Sequence, residues 1–521
     1  MTNNTSPHYA KGYGEAGASL SKRSLKGFTA QSGNPVEDID LNNKTMRQRG
    51  RMLYMAAPVA TAAINTNRTS VVGSGLQMRC AINRDILGIS PEREKEWQKR
   101  TEAEFRLWAE NSKNCDALGM NNFYSLQQIA LKSWLTSGDV FALFKHYDVN
   151  RNQPYSLRVH LIEADRVCTP LGMRNIKPTE GVNPVTKNKI HDGVEVDGNG
   201  QVLAYHICSV FPGEMYFTEA EWTRVEAYGE KTGMPNIVHI MESERPDQYR
   251  GVSYLAPVVE TLLQQRRYTE SELTRALVQS FITAWITTET PSADEFSLNE
   301  TGGEPISDVS TDENEYEMGP GQINQLRPGE NVVLGNPQIP TAGFEVFMKT
   351  ICRLVGSALE LPYDVLMKEF NSSYSASRGA LQQAWEMFRM RRSWFVNNFC
   401  KPVYETWLSE AVARGRINAP GFFSDPLIRA AWCGARWDGP VQTQIDPVKE
   451  ASANEILVAH GWKNNEQITR ECYGGNWEEN VERLAHEVEA FANIAANRNQ
   501  ETGKALPKSS NNDETEEEEN E

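Results

Sequence analysis

The sequence has no long apolar run and no cysteine pair of the kind that binds metal or forms disulfides. No stretch approaches the roughly 18 consecutive apolar residues of a membrane helix, and the N-terminal MTNNTSPHYAKGYG lacks the apolar segment of a signal peptide. We therefore expect neither export nor any contact with a membrane. The eight cysteines are scattered without a CxxC pair, which indicates free thiols in a reducing cytoplasm.

Motifs for nucleotide, hydrolase and zinc chemistry are absent or fail. There is no GxSxG and no P-loop. GYGEAG, from Gly12 to Gly17, matches a dinucleotide-binding pattern, but no predicted strand precedes it. HEVEA at 486 to 490 has Ala490 where a zinc protease needs its second histidine. The sequence therefore predicts no catalytic residues, no cofactor and no metal.

Four histidines alternate with apolar residues along predicted strands: His146, His160, His206 and His239. They lie on separate segments without the spacing of metal ligands, so a structural role is favoured over a metal site.

Length and composition favour a multidomain, helix-rich chain. A chain of 521 residues is too long for one core and predicts two to four domains. A hydrophobic content of 39% supports real cores. The fold class that we predict is α+β, mainly helical, with disordered ends.

Negative charge is concentrated in two places. Residues 289 to 330 hold eleven acids and one base, and the last 21 residues hold eight acids and two lysines. These segments carry −10 and −6, which together equal the formal charge of the whole chain, −16. The carboxylates of 289 to 330 could bind a divalent cation, but their irregular spacing favours a solvated acidic surface.

The acidic insert lies between two predicted helices that form a stalk. The first runs from about Tyr254 to Trp285 and would be roughly 50 Å long at 1.5 Å per residue. The second runs from about Phe344 to Glu360. A helix this long needs partners from outside its own domain. Its polar middle suits a helix that stands beside copies of itself and lines a water-filled space.

A second long helix follows a polar loop at Asn371 to Ser375. It is the most aromatic stretch of the chain, ends near Arg414, and should kink at Pro402. Arg389, Arg391 and Arg392 fall on one side of it, where they could contact phosphate, although salt bridging on the helix surface fits equally well.

Helices and strands are also predicted on either side of the stalk. Helical periodicity covers Asp40 to about Val71 with a break at Pro58, then Pro91 to Asn111 and Tyr124 to Ser137. Period-two alternation predicts a small sheet from four segments: 139 to 149, 156 to 167, 194 to 210 and 236 to 241. Three short helices should close the chain: 447 to 460, 465 to 473 and 477 to 497.

Several blocks of the sequence, in this order, resemble one known family. These blocks are RMLYMAAPVATAAINTNRTSVVGSGL, NSSYSASRGALQQAWEMFRMRRSWFVNNFCKPVYETWL, a GF after Pro420, AAWCGARWDGP and DPVKEASANEILVAHGW. Together they are similar to the portal protein family of lambda-type tailed bacteriophages, over about residues 10 to 495.

The resemblance implies a phage portal fold with wing, stem, clip and crown, assembled as a ring. The expected division is a flexible arm at 1–38, a wing with a small sheet at 39–253, stem helices at 254–288 and 343–362, an acidic clip at 289–342, a channel loop at 363–376, a long kinked wing helix and return at 377–445, crown helices at 446–498 and a disordered acidic tail at 499–521.

It also implies a function and partners. The ring, usually of twelve copies, would stand at one vertex of the phage or prophage head and pass double-stranded DNA without sequence preference during packaging by the terminase large subunit and during ejection. Further partners would be head-completion or adaptor proteins, the major capsid protein and the scaffold protein. Such a protein would be found in the virion, and in the host cytoplasm during assembly.

Two groups of residues are the expected contact sites. The channel loop would touch DNA through Lys368, Glu369, Asn371, Ser372, Ser373 and Tyr374, unless Lys368 and Glu369 merely pair at a helix end. The clip would dock terminase and adaptor through five acids: Asp308, Asp312, Glu313, Glu315 and Glu317.

Two other classes stay open. A metal-dependent nuclease fused to an assembly domain would use the carboxylates of the insert with magnesium. A head scaffold or shell protein would assemble into closed shells.

Overall fold

The computed structural model describes residues 23–28, 33–175, 177, 179–211, 214, 219–280, 284–288, 330–334, 343–370, 373–442 and 446–502. It divides into two compact units. The first, here called the body, combines Met1–Pro257 with Leu359–Glu521, and the second, the stem unit, is Val258–Ala358. Most of the predicted arm, the acidic insert at 289–329 and the tail from 503 lie outside the described residues. Of the described helices, none is both long and apolar enough to cross a bilayer.

The body begins with a layer of helices. They are α1 (Leu41–Ala56), α2 (Pro58–Val71), α3 (Arg84–Leu87), α4 (Pro91–Glu110), α5 (Ser112–Cys115) and α6 (Phe123–Ser137). Pro58 starts α2, since its missing N–H is not needed in a first turn, and this confirms the predicted break. The Ser90 side chain accepts the Arg93 N–H at 3.4 Å and caps α4.

The strands of the body form more sheet than the sequence indicates. They are β1 (Gln77–Cys80), β2 (Asp139–His146), β3 (Leu157–Glu163), β4 (Glu180–Val182), β5 (Lys189–His191), β6 (Val194–Val196), β7 (Val202–Cys208), β8 (Trp222–Glu226) and β9 (Ile237–Met241). The predicted small sheet is two antiparallel sheets, in the orders β3-β2-β9 and β4-β5-β6-β7-β8. Strands β4, β5 and β8 escaped prediction because three to five residues are too few to display a clear alternation.

The stem unit contains α7 (Val259–Ser280), β10 (Ala284–Thr288), β11 (Glu330–Leu334) and α8 (Phe344–Ala358). The prediction that the first stem helix reaches Trp285 is wrong. Trp285 lies on β10, which pairs antiparallel with β11, and the run AWITT is rich in the β-branched and aromatic residues that favour strands. At 22 residues, α7 is about 33 Å long, not 50 Å. The second stem helix is confirmed to within two residues.

The chain returns to the body through α9 (Tyr363–Met367), α10 (Tyr374–Phe395), α11 (Lys401–Ala413), α12 (Pro426–Trp432), β12 (Ala435–Asp438), α13 (Pro447–Ala459), α14 (Asn465–Ile468) and α15 (Trp477–Thr502). A π-helical turn at Val396–Cys400 joins α10 to α11, so the predicted long helix is confirmed. Its irregularity lies just before Pro402, where the missing N–H removes a backbone hydrogen bond.

Aromatic side chains form the helical core of the body. The ring of Phe105, on α4, lies within 5.0 to 5.9 Å of five other rings: Trp108, Phe123, Tyr404, Trp407 and Trp437. Strand β1 also pairs with β12, from Gln77–Asp438 to Cys80–Ala435. The N-terminal helices are therefore held to α11 by ring packing, and the strand that follows α2 is held to β12 by a strand ladder.

A buried charge network joins α1 to the three-stranded sheet. The Arg250 guanidinium lies 2.7 Å from Asp139 and donates to the carbonyls of Ala164 and Val167. Arg47, from α1, lies 3.2 Å from Asp192, which Arg250 also contacts. Although burial acts to raise it, the guanidinium groups of Arg250 and Arg47 hold the pKa of Asp139 well below its ordinary value. The contacts of Arg250 in this network are all made within one chain.

Candidate channel loop and docking surfaces

The predicted channel loop begins at the end of a short helix that packs on the body. Helix α9 contacts α2 and α10, with Val365 and Leu366 buried. Lys368 ends α9 in the left-handed conformation, with φ of 57°. Glu360, at the other end of this connection, is also left-handed, with φ of 55°. Such backbone is uncommon outside glycine, and it turns the chain sharply on both sides of α9.

The two charged residues of the loop do not pair with each other. The Glu369 carboxylate accepts a hydrogen bond from the Tyr363 hydroxyl at 2.8 Å, and the backbone N–H of Glu369 donates to the Asp364 carbonyl at 3.1 Å. Lys368 has an exposed side chain and makes no ion pair within the described part of the chain. Its ammonium group is therefore available for an external anion.

The remaining loop residues are only partly described. Asn371 and Ser372 lie outside the described residues. The Ser373 side chain accepts the Ala376 N–H at 3.4 Å and caps α10. Tyr374 is the first residue of α10. Capping sets where the helix begins and hence where the loop ends.

Arg391 does not lie on the helix surface that the sequence suggested. Its guanidinium is buried, donates to the Asn67 side-chain oxygen on α2, and lies 4.6 Å from the Tyr254 ring centroid. It is also 3.9 Å from the Glu360 carboxylate. The Tyr254 hydroxyl donates to the Leu359 carbonyl, and burial raises the pKa of Tyr254. Arg391 therefore supports the two chain segments on either side of the stem unit's sequence.

Arg392 is also committed to internal contacts. It donates to the carbonyls of Ser70, Val71 and Pro440 at 2.7, 2.8 and 2.6 Å. Burial lowers the pKa of Arg392 to about 10. The hypothesis that all three arginines could contact phosphate is therefore wrong, because Arg389 is the only exposed one of the three.

Sequence reasoning missed the residues that surround Arg391. Asn67, Tyr254 and Glu360 are far from position 391 along the chain, and each is unremarkable in its own segment. No local pattern could have brought them together, since Asn67 reaches Arg391 through the packing of α2 against α10, and Tyr254 and Glu360 come from two further segments.

The described part of the stem unit presents apolar and paired polar side chains to solvent. The Tyr268 ring of α7 packs against Phe347 of α8, with centroids 4.8 Å apart, and Gln265 donates to the Cys352 sulfur at 3.5 Å. Leu273, Leu277 and Leu354 remain exposed. The polar middle of α7 carries an exposed Arg266–Glu270 ion pair at 2.8 Å.

The predicted docking acids belong to the acidic insert between β10 and β11. Asp308, Asp312, Glu313, Glu315 and Glu317 all lie outside the described residues. The β10–β11 ladder brings the two ends of the acidic insert side by side, since Thr288 is opposite Glu330.

Two of the four strand histidines are held by buried carboxylates. His206 lies 3.0 Å from Glu195, and His239 lies 3.3 Å from Asp139. Burial lowers the pKa of both imidazoles. Among the described residues, no group of three or more His, Cys, Asp and Glu side chains is arranged to hold a metal ion.

Two solved structures are similar to the chain at low sequence identity. The neck of a native gene transfer agent (GTA) particle, computed with C12 symmetry, matches with a TM-score of 0.40 and 11% identity, over 82% of this chain and 92% of that one. The virion of a native gene transfer agent particle matches with a TM-score of 0.40 and 12% identity, over the same shares.

Sequence comparison identifies the family. Portal protein B of Escherichia phage lambda is 23% identical over 431 residues, which are 79% of this chain and 77% of that protein. The family model described as phage portal protein, lambda family, matches residues 21–392. The chain therefore belongs to the lambda family of phage portal proteins and is a portal of a viral head.

Proposed function

We propose that copies of this chain, usually twelve in this family, close into a ring at one vertex of the head. Double-stranded DNA passes through its centre, inwards during packaging by the terminase motor and outwards into the tail during ejection. The observation that carries the proposal is the family match over residues 21–392. The protein is present in the host cytoplasm until the head is assembled.

The exposed side chains of the stem unit support a ring. Leu273 of α7 and Leu354 of α8 are large apolar residues that the described part of the chain leaves 66% and 62% exposed. Neighbouring copies bury them, while the polar middle of α7, with its Arg266–Glu270 pair, faces the wet channel.

The channel loop makes weak contact with the moving duplex. Each lysine that neutralises a phosphate releases counterions, so a strongly basic channel would hold the DNA and slow every step. Lys368 is exposed, whereas Arg391 and Arg392 are engaged inside the body. One cation per copy, together with Glu369, Asn371, Ser372, Ser373 and Tyr374, steers the DNA without gripping it.

The acidic clip is the docking surface for partners. Asp308, Asp312, Glu313, Glu315 and Glu317 meet the terminase large subunit first and head-completion or adaptor proteins later. The wing faces the major capsid protein and the scaffold protein. The portal itself has no catalytic residues and needs no cofactor, since the ATP chemistry belongs to the motor.

Negative-stain microscopy of the purified chain tests the ring. We expect annular particles of limited size with a central hole wide enough for a duplex of about 20 Å. Closed shells would instead identify a scaffold or shell protein. Metal-dependent DNA cleavage that is lost on changing the clip acids would identify the nuclease.

The loop needs a substitution that keeps its backbone. Lys368→Asn removes the charge and tolerates the left-handed conformation, so a change in DNA passage would be due to charge. Lys44→Asn, at an exposed position of α1, is the matched control. We expect Lys368→Asn to alter the rate of DNA packaging into heads less than tenfold without affecting ring formation. Complete loss of rings would contradict a role confined to DNA contact.

A further inference from the structure

The C-terminal helix α15 carries an apolar stripe that the described part of its own chain leaves uncovered. Trp477, Val481, Leu484, Val488 and Phe491 follow each other at alternating spacings of four and three residues, which places them on one helix face. Ile494 flanks this row. Leu484 is 59% exposed, Phe491 70% and Ile494 61%.

The opposite side of α15 is the side that contacts the body. Glu478 lies 3.0 Å from Lys95, Glu479 lies 2.9 Å from Arg79, and Glu482 lies 2.8 Å from Lys99. Lys95 and Lys99 belong to α4, and Arg79 to β1. At about 100° per residue, these three acids lie roughly opposite the stripe. The ion pairs therefore set the rotation of the helix so that its apolar face points away from α4.

This arrangement is the reverse of a normal amphipathic surface helix, which turns its apolar face inwards. Every residue from 480 to 494 is exposed. Most helical stability in proteins comes from packing an amphipathic face, and exposed ion pairs contribute only about 0 to 1 kcal/mol each. Another surface is needed to bury the stripe.

A second uncovered apolar surface lies on the preceding helices. Helix α13 has no buried residue. Val448 and Ile456 on α13, about 80° apart around the helix axis, are exposed, as are Trp462 and Tyr473 in the segment that follows it. We refer to these four exposed residues together as the α13 surface.

We propose that the α15 stripe of one copy packs against the α13 surface of the neighbouring copy. The inference rests on the ring proposed above, because cyclic symmetry joins two different surfaces of successive copies. Six large side chains on the stripe would bury on the order of 100 Å² each, so both sides together would remove roughly 1,000 Å² from water, close to the lower end of specific interfaces. A second copy therefore supplies enough area to order α15.

A pair of double variants tests the stripe. Leu484→Glu with Phe491→Glu places charge on it, and His486→Glu with Asn493→Glu places the same charge on the acid-bearing side of the same helix. We expect the first variant to raise at least tenfold the concentration at which half of the chain is in rings, and the second to change it less than twofold. Equal effects of the two variants would overturn the proposal. Thermal unfolding of each variant checks that the body is intact.

A crosslink identifies what covers the stripe. With a photoreactive benzoylphenylalanine at Phe491, illumination of rings should join two copies, with the adduct mapped to residues 447–473 of the second copy. The same group at Asn493 should not give this adduct. Rings that show no crosslink between copies, or one only to an added scaffold or capsid protein, would overturn this inference alone. Failure of the unaltered chain to form rings would instead remove the proposed function on which it rests.

Discussion

Two arginine–carboxylate pairs of nearly the same length show how the body and the stem unit differ. Arg250 and Asp139 lie 2.7 Å apart with both side chains 0% exposed, whereas Arg266 and Glu270 lie 2.8 Å apart with side chains 47% and 59% exposed. The body buries this charge pair and its aromatic core within one chain. The described part of the stem unit leaves Leu273, Leu354 and the Arg266–Glu270 pair exposed, so in the proposed ring neighbouring copies would contribute more to its stability than to that of the body.

The strongest test of this difference is to remove one arginine from each pair. Arg250→Ala leaves Asp139 buried without its main partner, and such a loss costs about 3 to 5 kcal/mol. Arg266→Ala should cost less than about 1 kcal/mol, because the pair is screened by water. Thermal unfolding at one protein concentration compares the two. Similar losses would contradict the distinction between the units.

A truncation of similar design tests the apolar contacts. Trp407→Ala removes a fully buried ring from the aromatic core and should cost at least about 3 kcal/mol of unfolding free energy. Leu273→Ala, at an exposed position of α7, should leave the unfolding of the separate chain nearly unchanged and weaken the ring. Denaturant unfolding and sedimentation of the two variants separate these effects. A stable Trp407→Ala chain would show that the core is not self-contained.

The pH dependence of stability should originate in the body. Burial is the main cause, and the negative charge of Asp192 the second, that raises the pKa of Asp40 to about 7 from an ordinary value of 3.8. The folded chain then keeps a proton that the unfolded chain releases, so this group lowers stability as the pH rises from about 4 to 7.

Asp40→Asn should therefore reduce the fall in stability between about pH 4 and pH 7. The reduction should be a few kcal/mol at most, since one pKa unit is worth about 1.4 kcal/mol. Melting temperatures at pH 5 and pH 7.5 measure it, with Glu270→Gln on α7 as the exposed control. An unchanged decline in Asp40→Asn would exclude this carboxyl as its source.

The smallest expected difference lies within one helix. Arg391→Ala removes the contacts with Asn67, Tyr254 and Glu360 and should cost about 1 to 3 kcal/mol, because it leaves buried polar atoms without partners. Arg389→Ala, two residues away and exposed, should be within about 0.5 kcal/mol of the parent chain. If thermal unfolding showed Arg389→Ala to be less stable than Arg391→Ala, the assignment of Arg391 as the buried arginine would be contradicted.

The sequence by itself determined the helices with clear periodicity and capping, such as α2 after Pro58 and α4 after Ser90, since these signals are local. It also carried the family, through blocks spread over most of the chain. It could not predict that Trp285 lies on a strand, because the partner strand begins at Glu330 beyond a long insert. Only the tertiary structure decided that Arg391 is buried while Arg389 is exposed, and that α15 turns its acids inwards, because burial depends on segments that are distant in sequence and adjacent in space.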